Sequence, residues 1–138
     1  MSAYTEPLSY RSTDYWRNGR RLYELEAGFT FYSELAQRSI TVPVGFLTDL
    51  GSIPAFARWW LSSDDFWAQA YVLHDRLYHT REMDRATADL ILWEALGLPY
   101  RVYDEDGVMR RETCPALARS AIYQAVRIGG GPAYQRGG

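Results

Sequence analysis

The chain has 138 residues, enough for one domain whose core needs no disulfide or metal staple. Hydrophobic residues at 47% and charged residues at 23% exclude a disordered chain, and a formal charge of −2 supplies no general positive field, which disfavours a nucleic-acid partner. The single Cys114 excludes an internal disulfide; no run reaches the ~20 apolar residues of a membrane span, and the first thirty residues lack the apolar core of a signal peptide.

Residues 1–18 are polar and aromatic and read as an arm or an edge strand. Asn18-Gly19 is a two-residue turn signal, and R-R-L-Y-E-L-E-A-G-F-T-F-Y after it reads as one or two strands. Arg38–Phe46 is rich in β-branched residues, with Pro43 marking an edge or the end of pairing. The N-terminal third is therefore expected to be an antiparallel β-meander.

The loop L-T-D-L-G-S-I-P at 47–54 follows, broken by Gly51 and Pro54, and 55–61 suggests a short helix. Ser62 or Ser63 can cap a second helix, with Asp64 and Asp65 in its first turn, running to about Tyr78. Phe66, Ala70, Leu73, His74 and Leu77 would share its apolar face. A third helix, about Met83 to Leu96, puts Ala86, Asp89, Leu90, Trp93 and Leu96 on or near one face, with Asp84 at its start and Gly97 at its end. The short link makes the two helices antiparallel neighbours. Asp106-Gly107 suggests a small hairpin or an exposed loop, and Thr113 caps a fourth helix, with Pro115 in its first turn, to about Ile128. The tail 129–138 is flexible by composition. The fold class is α+β: one domain, a β-meander followed by a bundle of about four helices.

The candidate chemistry lies where buried helix faces carry polar groups. A carboxylate on the inward face of the third helix costs several kcal/mol if unpaired, so Asp89 is expected to pair with His74 across the helix pair. Such a pairing fixes the imidazole tautomer and leaves the other ring nitrogen as a base for water, making His74 and Asp89 the catalytic candidates. Asp75, about 100° round the helix, points elsewhere, and with Asp49 it forms the candidate metal pair, joined by a carbonyl such as that of Leu50. The expected cofactor is Ca²⁺ or Mg²⁺. Thr48, Ser52 and Tyr78 complete the candidate set. Plainer readings stand beside these: His74 as a satisfied core residue, Asp49 as a turn former, Asp84 as a helix cap, and Arg119 and the Arg110-Arg111 pair as surface charges.

G-F-L-T-D-L-G-S-I-P (45–54), V-L-H-D-R-L-Y (72–78), R-A-T-A-D-L-I-L-W-E-A-L (85–96) and I-Y-Q-A-V-R-I-G-G (122–130) together resemble a small phage-associated family of unknown function. The resemblance implies a bacteriophage or prophage origin. Locally, the helix motif is also similar to the H-D-x-C-Y helix of secreted calcium-dependent phospholipases. That similarity implies a general-base role for His74, a calcium-binding role for Asp75 and an orienting role for Asp89, with Asp49-Leu50 as a loop ligand. Leu77 replaces the cysteine of that pattern, and its disulfides and Gly-rich calcium loop are missing.

Two functions follow as expectations. One is a metal-assisted hydrolase acting on a phospholipid, a cell-wall component or another ester or amide. The other is a non-catalytic virion component, such as a tail or baseplate protein, with the His-Asp pair as a structural network and other phage structural proteins as partners. The expected location is the virion or the host cytoplasm, and an oligomer is compatible with either.

Overall fold

The computed structural model describes residues 1–50 and 66–137. The expected helix at 55–61, the caps at Ser62 or Ser63, and Ser52 lie outside the described residues. The chain runs β1 (Ala3–Tyr4), β2 (Tyr10–Arg17), β3 (Arg20–Leu25), β4 (Phe29–Ser33), β5 (Arg38–Val42) and β6 (Leu47–Thr48). It continues with α1 (Ala68–Thr80), α2 (Arg85–Leu96), the hairpin β7 (Tyr100–Tyr103) and β8 (Met109–Glu112), α3 (Ala116–Gly129) and α4 (Gly131–Arg136). An antiparallel strand region thus precedes the helices, and the fold is α+β.

The strands do not form one consecutive meander. They make two three-stranded sheets, ordered β1-β4-β5 and β2-β3-β6, each an antiparallel hairpin extended by a strand from elsewhere in the chain. Asn18 and Gly19 both have positive φ, 54° and 76°, as a turn between strands paired through Arg17 and Arg20 requires. In β4 and β5, strict alternation turns Phe29, Phe31, Ile40 and Val42 inward, and the register pairs Phe29 with Val42 and Phe31 with Ile40. Pro43 ends β5, as its missing N–H dictates. The N-terminal segment reads as edge strands: β1 lies at the edge of one sheet and β2 at the edge of the other.

This apolar sheet face joins a core dominated by α1, whose Ala70, Tyr71, Val72, Leu73, Leu77 and Tyr78 are all buried. Phe66 falls outside the helix and is part exposed, because the described helix opens only at Ala68. In α2 the buried residues are Ala88, Asp89, Ile91, Leu92, Ala95 and Leu96, whereas Leu90 and Trp93 are partly exposed. Apolar residues occur all round this helix, so spacing alone does not single out its buried side. Trp93 is covered instead by Arg119, whose guanidinium carbon lies 3.6 Å from the ring centroid and whose Nε donates to the Trp93 carbonyl. Asp84 is the N-cap of α2, and Gly97 follows its end.

Two expectations at the C-terminal end change. Pro115, not Thr113, occupies the N-cap position of α3. The glycine-rich tail contains α4, where Tyr134 packs edge-to-face against Tyr78 at 5.3 Å between ring centroids and its hydroxyl donates to the Met83 carbonyl at 2.7 Å. One aromatic residue supplies the anchor that composition averages away. The expected hairpin at Asp106-Gly107 is present as β7–β8, with Gly107 at φ 79°.

Candidate functional site

α1 and α2 place His74 and Asp89 face to face in the core, 1% and 0% exposed. His74 Nε2 lies 2.7 Å from Asp89 Oδ1, and the Tyr78 hydroxyl, one helical turn after His74, donates to the same oxygen at 2.6 Å. Arg127 from α3 donates from Nη1 to Asp89 Oδ2 at 2.7 Å, and Arg85 Nε, one turn before Asp89, stands 3.9 Å from that oxygen. Burial pushes the Asp89 carboxyl up, but the hydrogen bonds from His74, Tyr78 and Arg127 outweigh it and hold the group below its ordinary value. An ionised Asp89 only accepts, so the proton between the pair belongs to His74 Nε2. The other ring nitrogen, Nδ1, is buried and has no hydrogen-bond partner among the described residues. Burial, then the bond to Asp89, raises the Tyr78 phenol, which therefore stays a donor.

Asp75 leaves α1 in the other direction, toward β6 and the turn after it. Its carboxyl is 4% exposed and is pushed up to about 6 by burial and then by the nearby negative charge of Asp49. A hydrogen bond with the Thr48 side chain and the charges of Arg17 and His74 partly offset this. Thr48 is fully buried, and its Oγ1 also accepts the Leu50 N–H at 3.1 Å, a hydroxyl-closed turn that holds the loop. Leu50 has φ 67°, a left-handed conformation costly for a branched side chain and concentrated at functional turns. Asp49 forms an ion pair with Arg20, Oδ2 to Nε at 3.3 Å, and borders a groove of ≈ 230 Å³ that Trp16, Gly19, Arg20, Arg21, Tyr23 and Leu50 also line.

The candidate residues thus form two adjoining groups. His74, Tyr78 and Asp89 make one; Thr48, Asp49 and Asp75 make the other; the His74-Asp75 step along α1 joins them. Arg127 and Arg85 were missing from the sequence-derived set. Their signals were present, Arg127 in A-V-R-I-G-G and Arg85 one helical turn before Asp89, but neither spacing shows that α3 closes over α1 and α2.

For a hard divalent cation the donor chemistry is of the right kind: two carboxylates near enough for one to raise the other, beside a strained loop. It is not a complete ligand set. Among the described residues no group of three or more His, Cys, Asp or Glu side chains could hold a metal ion, so carbonyl oxygens would have to complete the six or more ligands that Ca²⁺ takes.

The raised carboxyl gives a stability prediction. Asp75 binds its proton more tightly folded than unfolded, so its ionisation lowers stability as pH rises from about 4 through about 6, by on the order of 3 kcal/mol. Asp75→Asn should remove that dependence and melt higher than the parent at neutral pH without divalent cations. Melting temperatures across this range check it; a variant less stable at neutral pH would contradict it.

Fold and site together define the class, a small α+β domain with a buried histidine–carboxylate pair beside a two-carboxylate turn. Residues 23–126, from within β3 into α3, match the family model described as Protein of unknown function (DUF1353), and the chain belongs to that family. No curated protein and no solved structure matches the chain.

Proposed function

We propose that the protein is a phage-encoded hydrolase of carboxylic esters or amides in which His74 is the general base. The observation that carries this reading is the asymmetry of the imidazole: Nε2 engaged by an ionised Asp89, Nδ1 without a partner among the described residues. With its proton fixed on Nε2, neutral His74 has its lone pair on Nδ1, where it can take a proton from a water attacking a carbonyl carbon. The resulting imidazolium can return that proton to the leaving group. Asp89 remains ionised throughout, held by Arg127 and Tyr78.

Asp75 and Asp49, with a carbonyl such as that of Leu50, would hold Ca²⁺ or Mg²⁺. A cation there would polarise the carbonyl and offset the charge developing on its oxygen. Thr48 orients Asp75 through its hydrogen bond, and Arg20 holds the Asp49 carboxylate in an ion pair. The similarity of V-L-H-D-R-L-Y to the phospholipase helix favours an acyl ester in a phospholipid within this class.

The test is turnover of phospholipid, cell-wall and simple acyl ester substrates with Ca²⁺, Mg²⁺ or chelator. Expected is cation-dependent hydrolysis that Asp75→Asn reduces by at least about tenfold. Cation-independent turnover, equal in Asp75→Asn, would remove the metal role. A second reading has its own observation: His74 and Asp89 are buried, and Asp89 on α2 accepts donors from both α1 and α3. On that reading the pair braces the helices of a non-catalytic virion component that assembles with other phage structural proteins.

A further inference from the structure

The A-V-R-I-G-G segment ending α3 contributes nothing to proton transfer, yet it reaches both the Asp89 carboxylate and the Tyr78 phenol. The two oxygens of Asp89 are divided: Oδ1 serves His74 and Tyr78, while Oδ2 serves Arg127 at 2.7 Å. Arg85 ties the same segment to α2, because its Nη2 donates to the carbonyls of Val126 and Arg127 at 2.7 and 2.6 Å. Gly130 makes room for the phenol. A Cβ there would stand 2.7 Å from the Tyr78 hydroxyl and 2.5 Å from the Val126 carbonyl oxygen, so a side chain would push Tyr78 off Asp89.

An aspartate carboxylate turns easily about its last torsion, where the well is broad and two-fold. Hydrogen bonds to Oδ1 alone restrain that rotation less than bonds to both oxygens do. A guanidinium on Oδ2 supplies the second restraint.

We propose that the Arg127–Gly130 end of α3 is the positioning element of the pair: Arg127 locks the Asp89 carboxylate so that Oδ1 faces His74, which selects the Nε2–H tautomer and reserves Nδ1 as the base. The catalytic consequence rests on the hydrolase reading; the tautomer assignment does not.

The test uses the full chain labelled with ¹⁵N, reading the imidazole shifts of His74 at one neutral pH with His79 as internal reference. The wild type should show a single Nε2–H form, Arg127→Gln a mixture of tautomers, and Arg127→Lys a return to Nε2–H, since one cation on Oδ2 suffices. Where an ester substrate turns over, Arg127→Gln should lower kcat by about tenfold to a hundredfold with KM little changed. A wild-type ring protonated on Nδ1 alone or on both nitrogens would overturn the assignment. So would an Arg127→Gln spectrum identical to the wild type, or an Arg127→Lys chain that folds yet keeps the mixture. An Arg127-dependent tautomer without turnover of any ester would sustain the positioning role while removing catalysis.

Discussion

Asp89→Ala should destabilise the fold by about 3–5 kcal/mol, the effect of removing one partner from a buried ionic pair. Three donors lose their acceptor at once: the His74 Nε2–H, the Tyr78 hydroxyl and the Arg127 guanidinium, with Arg85 close behind. Two of them, His74 and Tyr78, are buried side chains, so the desolvation already suffered is no longer offset. Denaturant unfolding should show a lower midpoint at an unchanged slope. The sign with pH is opposite to that of Asp75. Asp89 has a lowered native pKa, so its contribution is present above the ordinary carboxylate value and is lost as pH falls through the native one. The gap between wild type and variant should therefore close in strong acid. A loss below about 1 kcal/mol at neutral pH would show that the network holds little together.

His74→Gln should separate chemistry from stability. The glutamine amide can still donate to Asp89 and nearly fills the imidazole's space, so the midpoint should move by no more than about 1–2 kcal/mol. It has no basic nitrogen. Loss of a general base lowers turnover by about 10²–10⁴-fold, and the loss should fall on kcat. Equal turnover by the two proteins would place the reaction elsewhere. The pair of substitutions is informative because the brace reading predicts that both act on stability and neither on chemistry.

Where sequence reading succeeded, a local rule decided the outcome. Asn18-Gly19 specifies a turn with two positive φ angles, Pro43 ends a strand, and the position of Asp89 on a largely apolar helix demands a buried partner, which His74 provides. The different headings of His74 and Asp75 follow from the 100° step between consecutive helical residues. Where it failed, the deciding contact lay far off in sequence. Which strand pairs with β4 is settled by sheet packing, and nothing in Ala3–Tyr4 announces it. The buried side of α2 is chosen by α1 and α3 among apolar residues on every side. Nothing near Arg127 in sequence points to its partner, Asp89, thirty-eight positions earlier. The tail looks mobile because seven of its last ten residues are Gly, Pro or charged, yet Tyr134 binds it to Tyr78 and Met83.

The choice between a site and a brace turns on whether small electrophiles reach His74 Nδ1 in the folded protein. The chain has two histidines, so carbethoxylation followed by mass spectrometry of the peptides reads His74 against exposed His79 in one sample. The expected result is modification of His74 under native conditions, at a rate independent of denaturant well below the unfolding midpoint, with loss of any hydrolysis in step. Modification of His74 only as the whole chain unfolds, with His79 reacting throughout, would contradict a base open to substrate and leave the pair a brace.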